Sequence, residues 1–272
     1  MFDCVRAFRI KRLGFDEGHL SVHGYKKLKK YCPQGTAIAA ANDLVEDLRE
    51  IKEEGEIEKI RTALNIHGDA LRFLKKTLRP GLSEKSVLNS LEKFTQRRGV
   101  AFSFPPIIAS GPHSSLPHAR VSERRLKSGE PVLIDFGIDF KGYKSDLTRN
   151  FFLGKMTPFY AAILDKVRRA QQAALAVLRP GIPAREADRA ARESLKRHGL
   201  AQFFGHSLGH GVGLEIHEGP RLSPKSERLL KPNMIVTVEP AVYLPDRFGI
   251  RVEDMVRVTA KGCEVLNEHW DQ

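Results

Sequence analysis

Four acidic residues sit where a folded chain least tolerates an unpaired charge. Asp135 lies in Leu133-Ile134-Asp135-Phe136-Gly137 and Asp146 in Ser145-Asp146-Leu147-Thr148-Arg149. Glu239 lies in Thr237-Val238-Glu239-Pro240 and Glu253 in Arg251-Val252-Glu253-Asp254, at corresponding places of a second hairpin. An isolated carboxylate in an apolar strand is costly to bury unless it is paired or bound to a metal. A salt bridge is the plainer alternative, and Arg149 or Arg251 could supply it. Four matched acids beside a His- and Gly-rich run argue instead for cations. Oxygen ligands with at most one imidazole favour a pair of Mn, Co, Fe or Zn ions over a structural zinc. The imidazole is expected to be His210, in Ser207-Leu208-Gly209-His210-Gly211-Val212-Gly213, where glycines let backbone approach a crowded centre. His118, His206 and His217 complete the set.

Two similar halves position these residues. At an offset of 100, Leu78-Arg79-Pro80-Gly81 aligns with Leu178-Arg179-Pro180-Gly181, and Arg97 and Gly99 align with Arg197 and Gly199. Apolar residues recur at helical spacing before each string: Ile57, Ile60, Leu64, Leu71, Leu74 and Leu78, then Tyr160, Ile163, Val167, Ala170, Ala174 and Val177. Thr157 before Pro158 is an N-cap signal, and each Pro-Gly is a stop. Second helices are expected over Glu84 to Arg98 and Arg185 to His198, closed by Gly99 and Gly199. Each half then ends in a hairpin, Val132–Phe140 with Tyr143–Leu153 and Ile235–Leu244 with Ile250–Thr259. The expected fold class is α+β over residues 53–272, with pseudo-twofold duplicated halves and a curved antiparallel sheet covered by helices. Residues 1–52 stand outside the repeat and read as a short N-terminal α/β remnant and linker.

Composition bounds the rest. The chain has 272 residues, 41% of them hydrophobic, and a formal net charge of +12. Disorder, collagen and coiled coil are excluded, and no apolar run nears the roughly 20 residues that cross a bilayer. The N-terminus lacks the apolar stretch of a secretory signal, and Cys4, Cys32 and Cys263 match neither a disulfide framework nor a zinc ribbon. A cytoplasmic protein without membrane attachment is expected. Basic residues crowd the start of the chain, with Arg6, Arg9, Lys11, Arg12, Lys26, Lys27, Lys29 and Lys30 before residue 32. No recognition motif accompanies them, so a solvated surface is favoured over a nucleic-acid partner.

Taken together, seven strings resemble one family. They are Ser110-Gly111 through Leu116-Pro117-His118-Ala119, Ile134-Asp135-Phe136-Gly137, Ser145-Asp146-Leu147-Thr148-Arg149, His206 to Gly213, Ile216-His217-Glu218, Val238-Glu239-Pro240-Ala241-Val242-Tyr243, and Gly249-Ile250-Arg251-Val252-Glu253-Asp254. In this order they are similar to the M24 metallopeptidases, the group of methionine aminopeptidase, Xaa-Pro aminopeptidase and prolidase, whose fold is called pita-bread. The resemblance implies that Asp135, Asp146, His210, Glu239 and Glu253 hold two divalent ions, manganese foremost, with Asp146 and Glu253 bridging. It implies a metal-activated water as nucleophile and Glu239 as proton shuttle. His118 and His217 would stabilise the tetrahedral intermediate, with His206, Tyr243 and Arg251 among the substrate-binding residues.

The Glu-Pro-Ala-Val-Tyr and Gly-Ile-Arg-Val-Glu-Asp strings resemble the Xaa-Pro-cleaving branch, which implies removal of an N-terminal residue that precedes proline. Members of that branch begin with a longer N-terminal domain that helps build a homodimer, and here only Gly14 to about Ile38 resembles its last portion. A methionine aminopeptidase-like enzyme or another amide hydrolase on the same fold is the alternative reading, and a non-catalytic binding protein of that fold is the third.

Overall fold

The structure, a computed structural model, describes residues 1–267. The chain divides into two compact units, Met1–Leu48 and the part from Arg49 onward. In the first, helix α1 (Phe2–Ala7) precedes strand β1 (Arg12–Phe15), helix α2 (Val22–Tyr31) and strand β2 (Ala37–Ala40). The two strands pair in parallel, Arg12 opposite Ala37 through Phe15 opposite Ala40. Ser21 caps α2, its hydroxyl accepting from Gly24 N at 3.1 Å. Helix α3 (Leu44–Glu50) carries the chain across the boundary.

The larger unit is written twice. In its first half α4 (Glu54–Thr77) and α5 (Glu84–Arg98) are followed by β3 (Ala101–Phe102), β4 (Ile107–Ser110), β5 (Pro131–Phe136), β6 (Ile138–Phe140), β7 (Tyr143–Lys144) and β8 (Leu147–Phe152). The second half has α6 (Pro158–Val177), α7 (Arg185–Lys196), β9 (Gly209–Gly211), β10 (Glu218–Leu222), β11 (Ile235–Val238), β12 (Ala241–Leu244), β13 (Phe248–Arg251), β14 (Asp254–Val258) and β15 (Cys263–Val265). Two of the expected caps are present. Thr157 Oγ1 accepts from Tyr160 N at 3.2 Å, and Gly99 closes α5 in the left-handed conformation. Helix α7 stops at Lys196, two residues short of the expected His198.

Each helix pair turns its apolar stripe onto its own strands. Ile57, Ile60, Leu64 and Leu74 of α4 join Leu91, Ile108, Ile134 and Phe136 in one core, and Tyr160, Val167 and Ala174 of α6 join Leu195, Val236, Val242 and Ile250 in the other. Removing this apolar surface from water is the main force closing each half. All strand pairs in this unit are antiparallel. Among the described residues no helix is long and apolar enough to cross a membrane.

The four long strands expected from sequence are not continuous. Each is broken near its middle, and the chain passes from one ladder to another. β5 pairs with β8 while β6 pairs with β7, and β11 pairs with β14 while β12 pairs with β13. The register resumes without a slip, Phe136 opposite Leu147 then Asp139 opposite Lys144, and Val238 opposite Asp254 then Ala241 opposite Arg251. Local chemistry explains the breaks. Pro240 has no N–H to give a ladder. In the first hairpin the Ser145 hydroxyl takes the Ile138 N–H at 2.9 Å. Asp146, Glu239 and Glu253 lie in the breaks, and Asp135 lies two residues before Gly137.

Register also corrects the expected symmetry. Asp146 and Glu253 occupy matched positions, but Asp135 pairs across to Thr148, two residues before the position that corresponds to Glu239. The position that corresponds to Asp135 in the second half is Thr237. A step of two keeps a side chain on the same face, so Asp135 and Glu239 still face one centre.

Candidate active site

A cavity of about 450 Å³ opens where the broken strands meet. Asp135, Asp146, His210, Glu239 and Glu253 line it together with His118, His206, His217 and Arg251. Of the residues expected from sequence, only Tyr243 is off the wall, standing buried behind Arg251 and His206.

Asp146 and Glu253 are 4% and 2% exposed, so their charges are almost wholly cut off from water. Ligand atoms of Asp146, His210 and Glu253 all lie within 4.8 Å of one another. His210 Nε2 is 3.5 Å from Asp146 Oδ2 and 3.4 Å from Glu239 Oε1. His210 Nδ1 is 3.1 Å from the Gly211 carbonyl oxygen, which can only accept. The ring proton therefore sits on Nδ1, and the Nε2 lone pair is free to face the acids. Gly209 and Gly211 make this approach possible, because a Cβ on either would overlap the carbonyl oxygen of Thr237 or Gly219.

Burial pushes the Asp146 carboxyl well above its ordinary value, and Glu253, Asp135 and Glu239 add to the rise. Burial does the same to Glu253, reinforced by Glu239 and Asp135. Glu239 is raised by burial to about 8, with Arg251 and the Thr237 hydroxyl opposing the rise. Burial lowers His206 and His210 to about 4, so both rings are neutral near pH 7.

One arginine answers part of this charge. Arg251 is buried and forms an ion pair with Asp135, donates to the Tyr243 hydroxyl, and donates from Nε to Thr148 Oγ1 at 2.9 Å. Burial pulls its pKa down, but Tyr243, Asp135, Glu239 and Glu253 outweigh that and raise it well above its ordinary value. Tyr243 in turn donates to His206 Nε2 at 3.1 Å, since His206 Nδ1 gives its proton to the Ser207 carbonyl at 2.8 Å. The other arginine considered as a partner, Arg149, serves backbone instead. It donates to Thr148 O at 2.9 Å and Glu253 O at 2.6 Å and pairs with Asp254 at 2.8 Å. Among the described residues Arg251 is thus the arginine that pairs with one of the four acids.

Asp135 Oδ1 is buried and has no hydrogen-bond partner among the described residues. An orphaned carboxylate oxygen, three acids driven toward their neutral forms and a bare imidazole nitrogen together fit a site for divalent cations. The sequence reading missed the two threonines that aim these acids. Thr148 Oγ1 donates to Glu253 Oε2 at 2.6 Å, and Thr237 Oγ1 donates to Glu239 Oε1 at 3.1 Å. Both lie two residues from an acid, so strand periodicity was the available signal. Arg221, four residues from His217, also lines the cavity, as do Phe104 and Ile107, which carried no signal beyond the neighbouring Pro105-Pro106.

The pKa shifts have a measurable consequence in protein stripped of metal. A carboxyl whose folded pKa is raised stabilises the fold below its unfolded pKa, and that contribution is lost as pH climbs through the folded value. For Glu239 the loss runs from 4.5 to about 8. His206 and His210, lowered from 6.5 to about 4, are neutral in both states above 6.5 and add no slope there. Melting temperature of the metal-free chain should therefore fall between about pH 6.5 and pH 8, and divalent ions should reverse the fall. A flat or rising melting temperature over that window would contradict the electrostatic account.

Residues 58–260 match the profile of metallopeptidase family M24. An uncharacterised peptidase of Bacillus subtilis, YqhT, is 39% identical over 265 residues, which are 97% of this chain and 75% of that protein. Among solved structures, the Xaa-Pro dipeptidase from Bacillus anthracis superposes with a TM-score of 0.95 at 38% identity, over 100% of this chain and 76% of that one. The X-Pro aminopeptidase from Thermotoga maritima gives a TM-score of 0.90 at 34% identity, over 97% of this chain and 75% of that one. Its fold, pita-bread in architecture, and its matched residues make this chain a member of metallopeptidase family M24.

Proposed function

We propose that the chain is a metal-dependent exopeptidase that hydrolyses the bond between an N-terminal residue and a following proline. The observation that carries this reading is the clustering of the buried Asp135, Asp146, His210 and Glu253 with the partly buried Glu239 on the wall of one open cavity. The named activities of the similar Bacillus anthracis and Thermotoga maritima proteins support proline as the second residue.

Those five residues would hold two divalent ions, with Asp146 and Glu253 shared between them and manganese the first choice among Mn, Co, Fe and Zn. Such ions polarise a peptide carbonyl and acidify a water enough for it to attack near neutral pH. Glu239 is the acid–base group: it takes the proton of the attacking water and returns it to the departing proline nitrogen. That nitrogen carries no hydrogen in the substrate, so the incoming proton is what makes it a leaving amine. His118 and His217, exposed at the cavity mouth, donate to the carbonyl oxygen as negative charge develops on it. His206 lies 3.9 Å from Glu239 Oε2 and lines the side that receives the proline. Arg251 and Tyr243 hold the neutral His206 ring in one orientation and shape that wall.

The deciding experiment is hydrolysis, by manganese-loaded and metal-stripped protein, of an Xaa-Pro dipeptide and of a longer peptide with proline second. Metal-dependent cleavage of either is expected, and which one is cleaved separates dipeptidase from aminopeptidase. Absence of cleavage of both by metal-loaded protein would refute the assignment. Among variants, Asp146→Ala and Glu253→Ala should lose bound metal and activity together. His118→Ala should keep its metal and lose about 10²-fold in kcat. A His118→Ala protein without metal would contradict the division of roles.

A further inference from the structure

We infer that Glu84 is a positioning residue for His118, an inference that rests on the reading of His118 as a donor to the developing oxyanion. Glu84 is the first residue of α5 and is 0% exposed. Its carboxylate closes the loop that carries His118 by gripping both ends at once. Oε1 accepts from Ser110 N at 2.8 Å and Ser110 Oγ at 2.9 Å, at the end of β4. Oε2 accepts from Ser122 N at 3.1 Å and Ser122 Oγ at 2.6 Å, on the far side of the loop. His113 Nδ1, from within the loop, donates to both oxygens at 3.0 Å. A carboxylate offers about four lone-pair sites, so these donors fill it and no water is needed.

The segment between the two serines holds no strand and only a short turn, Gly111–Ser115. His118 is exposed, and no side-chain hydrogen bond of its own fixes it among the described residues. The ring can be aimed only by its backbone. The middle of the loop is held further by Ser114 Oγ, which accepts from Gly249 N at 2.9 Å. Pro117 O also accepts from Arg251 at 3.3 Å. Beside the Glu84 clamp, Arg124 Nη1 donates to Ser110 Oγ at 2.5 Å and Arg124 N to Ser122 Oγ at 3.1 Å, and backbone pairing ties Ser110 to β5 and Ser122 to α5, so Glu84 is the one anion that both serines and His113 share. A displacement of about 1 Å at a catalytic group is enough to cost 10- to 10²-fold in rate.

The test is Glu84→Gln, which keeps shape and one accepting oxygen and places an NH2 where the other set of donors points. Glu84→Ala is the harsher second variant. Zinc-loaded protein should keep wild-type metal content in Glu84→Gln, because the loop contributes none of the proposed ligands. The kcat for an Xaa-Pro substrate should fall about tenfold with KM within about twofold. Added to His118→Ala, the same substitution should cost nothing further, since the group it aims is gone. The imidazole resonance absent from His118→Ala should shift or broaden in Glu84→Gln, while that of His206 stays in place. Unchanged kcat, a loss that multiplies with His118→Ala, or an unmoved His118 resonance would each overturn the inference. If wild-type protein cleaves no Xaa-Pro substrate, the proposed function fails, and the resonance alone still decides whether Glu84 holds His118.

Discussion

The structure is organised around the repulsion of carboxylates that face one another out of water. Asp135, Asp146, Glu239 and Glu253 share a wall where solvent screening is weak, and Arg251 is the cation that pairs directly with one of them. Burial and repulsion both favour the protonated forms of Asp146, Glu239 and Glu253, and in water-poor surroundings that preference is large. Two divalent cations would reverse it. A fold that builds such a site spends stability on it in the metal-free state and recovers that stability when metal binds.

The geometry that concentrates these charges comes from interrupted strands. A continuous hairpin would spread alternate side chains along a sheet face about 7 Å apart. Breaks at Pro240, Ser145 and their partners interrupt each hairpin, and Asp146, Glu239 and Glu253 issue from the interruptions. The surroundings then take up the backbone groups that the breaks release. Arg149 takes the carbonyl oxygens of Thr148 and Glu253, Gln171 Nε2 reaches Val238 O at 3.1 Å and Asp254 Oδ2 at 2.9 Å, and Asn150 Nδ2 reaches Arg251 O at 2.7 Å. Loops that bring the histidines are treated alike in both halves. Glu84 clamps the loop of His118, while buried Asp188 accepts from Leu208 N at 3.0 Å and orients Arg192, which donates to the carbonyls of Phe204 and His206.

How much of this could be read in the sequence follows from the range of each interaction. Helix stripes such as Ile57, Ile60 and Leu64, the Thr157-Pro158 start and the Gly99 stop are local signals, and they appear where expected. Acids within apolar strands, and a histidine between glycines, announce themselves because burial makes them improbable without a purpose. The strand breaks were not legible, since Ser145 acts through its own hydroxyl and the ladder switch depends on partners far along the chain. The two-residue offset of Asp135 from Glu239 was hidden for the same reason: register is a property of a pair of strands. Thr148 and Thr237 escaped notice because threonine is common in strands and only a paired acid gives it meaning. Tyr243, expected among the substrate-binding residues, is buried and hydrogen-bonds to Arg251 and His206 of the wall.

The central claim is that the buried acids are ligands awaiting cations. It is tested most directly by titrating metal-stripped protein with zinc near pH 7 in buffers of different ionisation heat, which counts ions bound and protons released together. Two ions per chain and a net release of protons are predicted, because acids held neutral by burial must ionise to coordinate. Saturation without proton release, or no binding in the cavity at all, would contradict it.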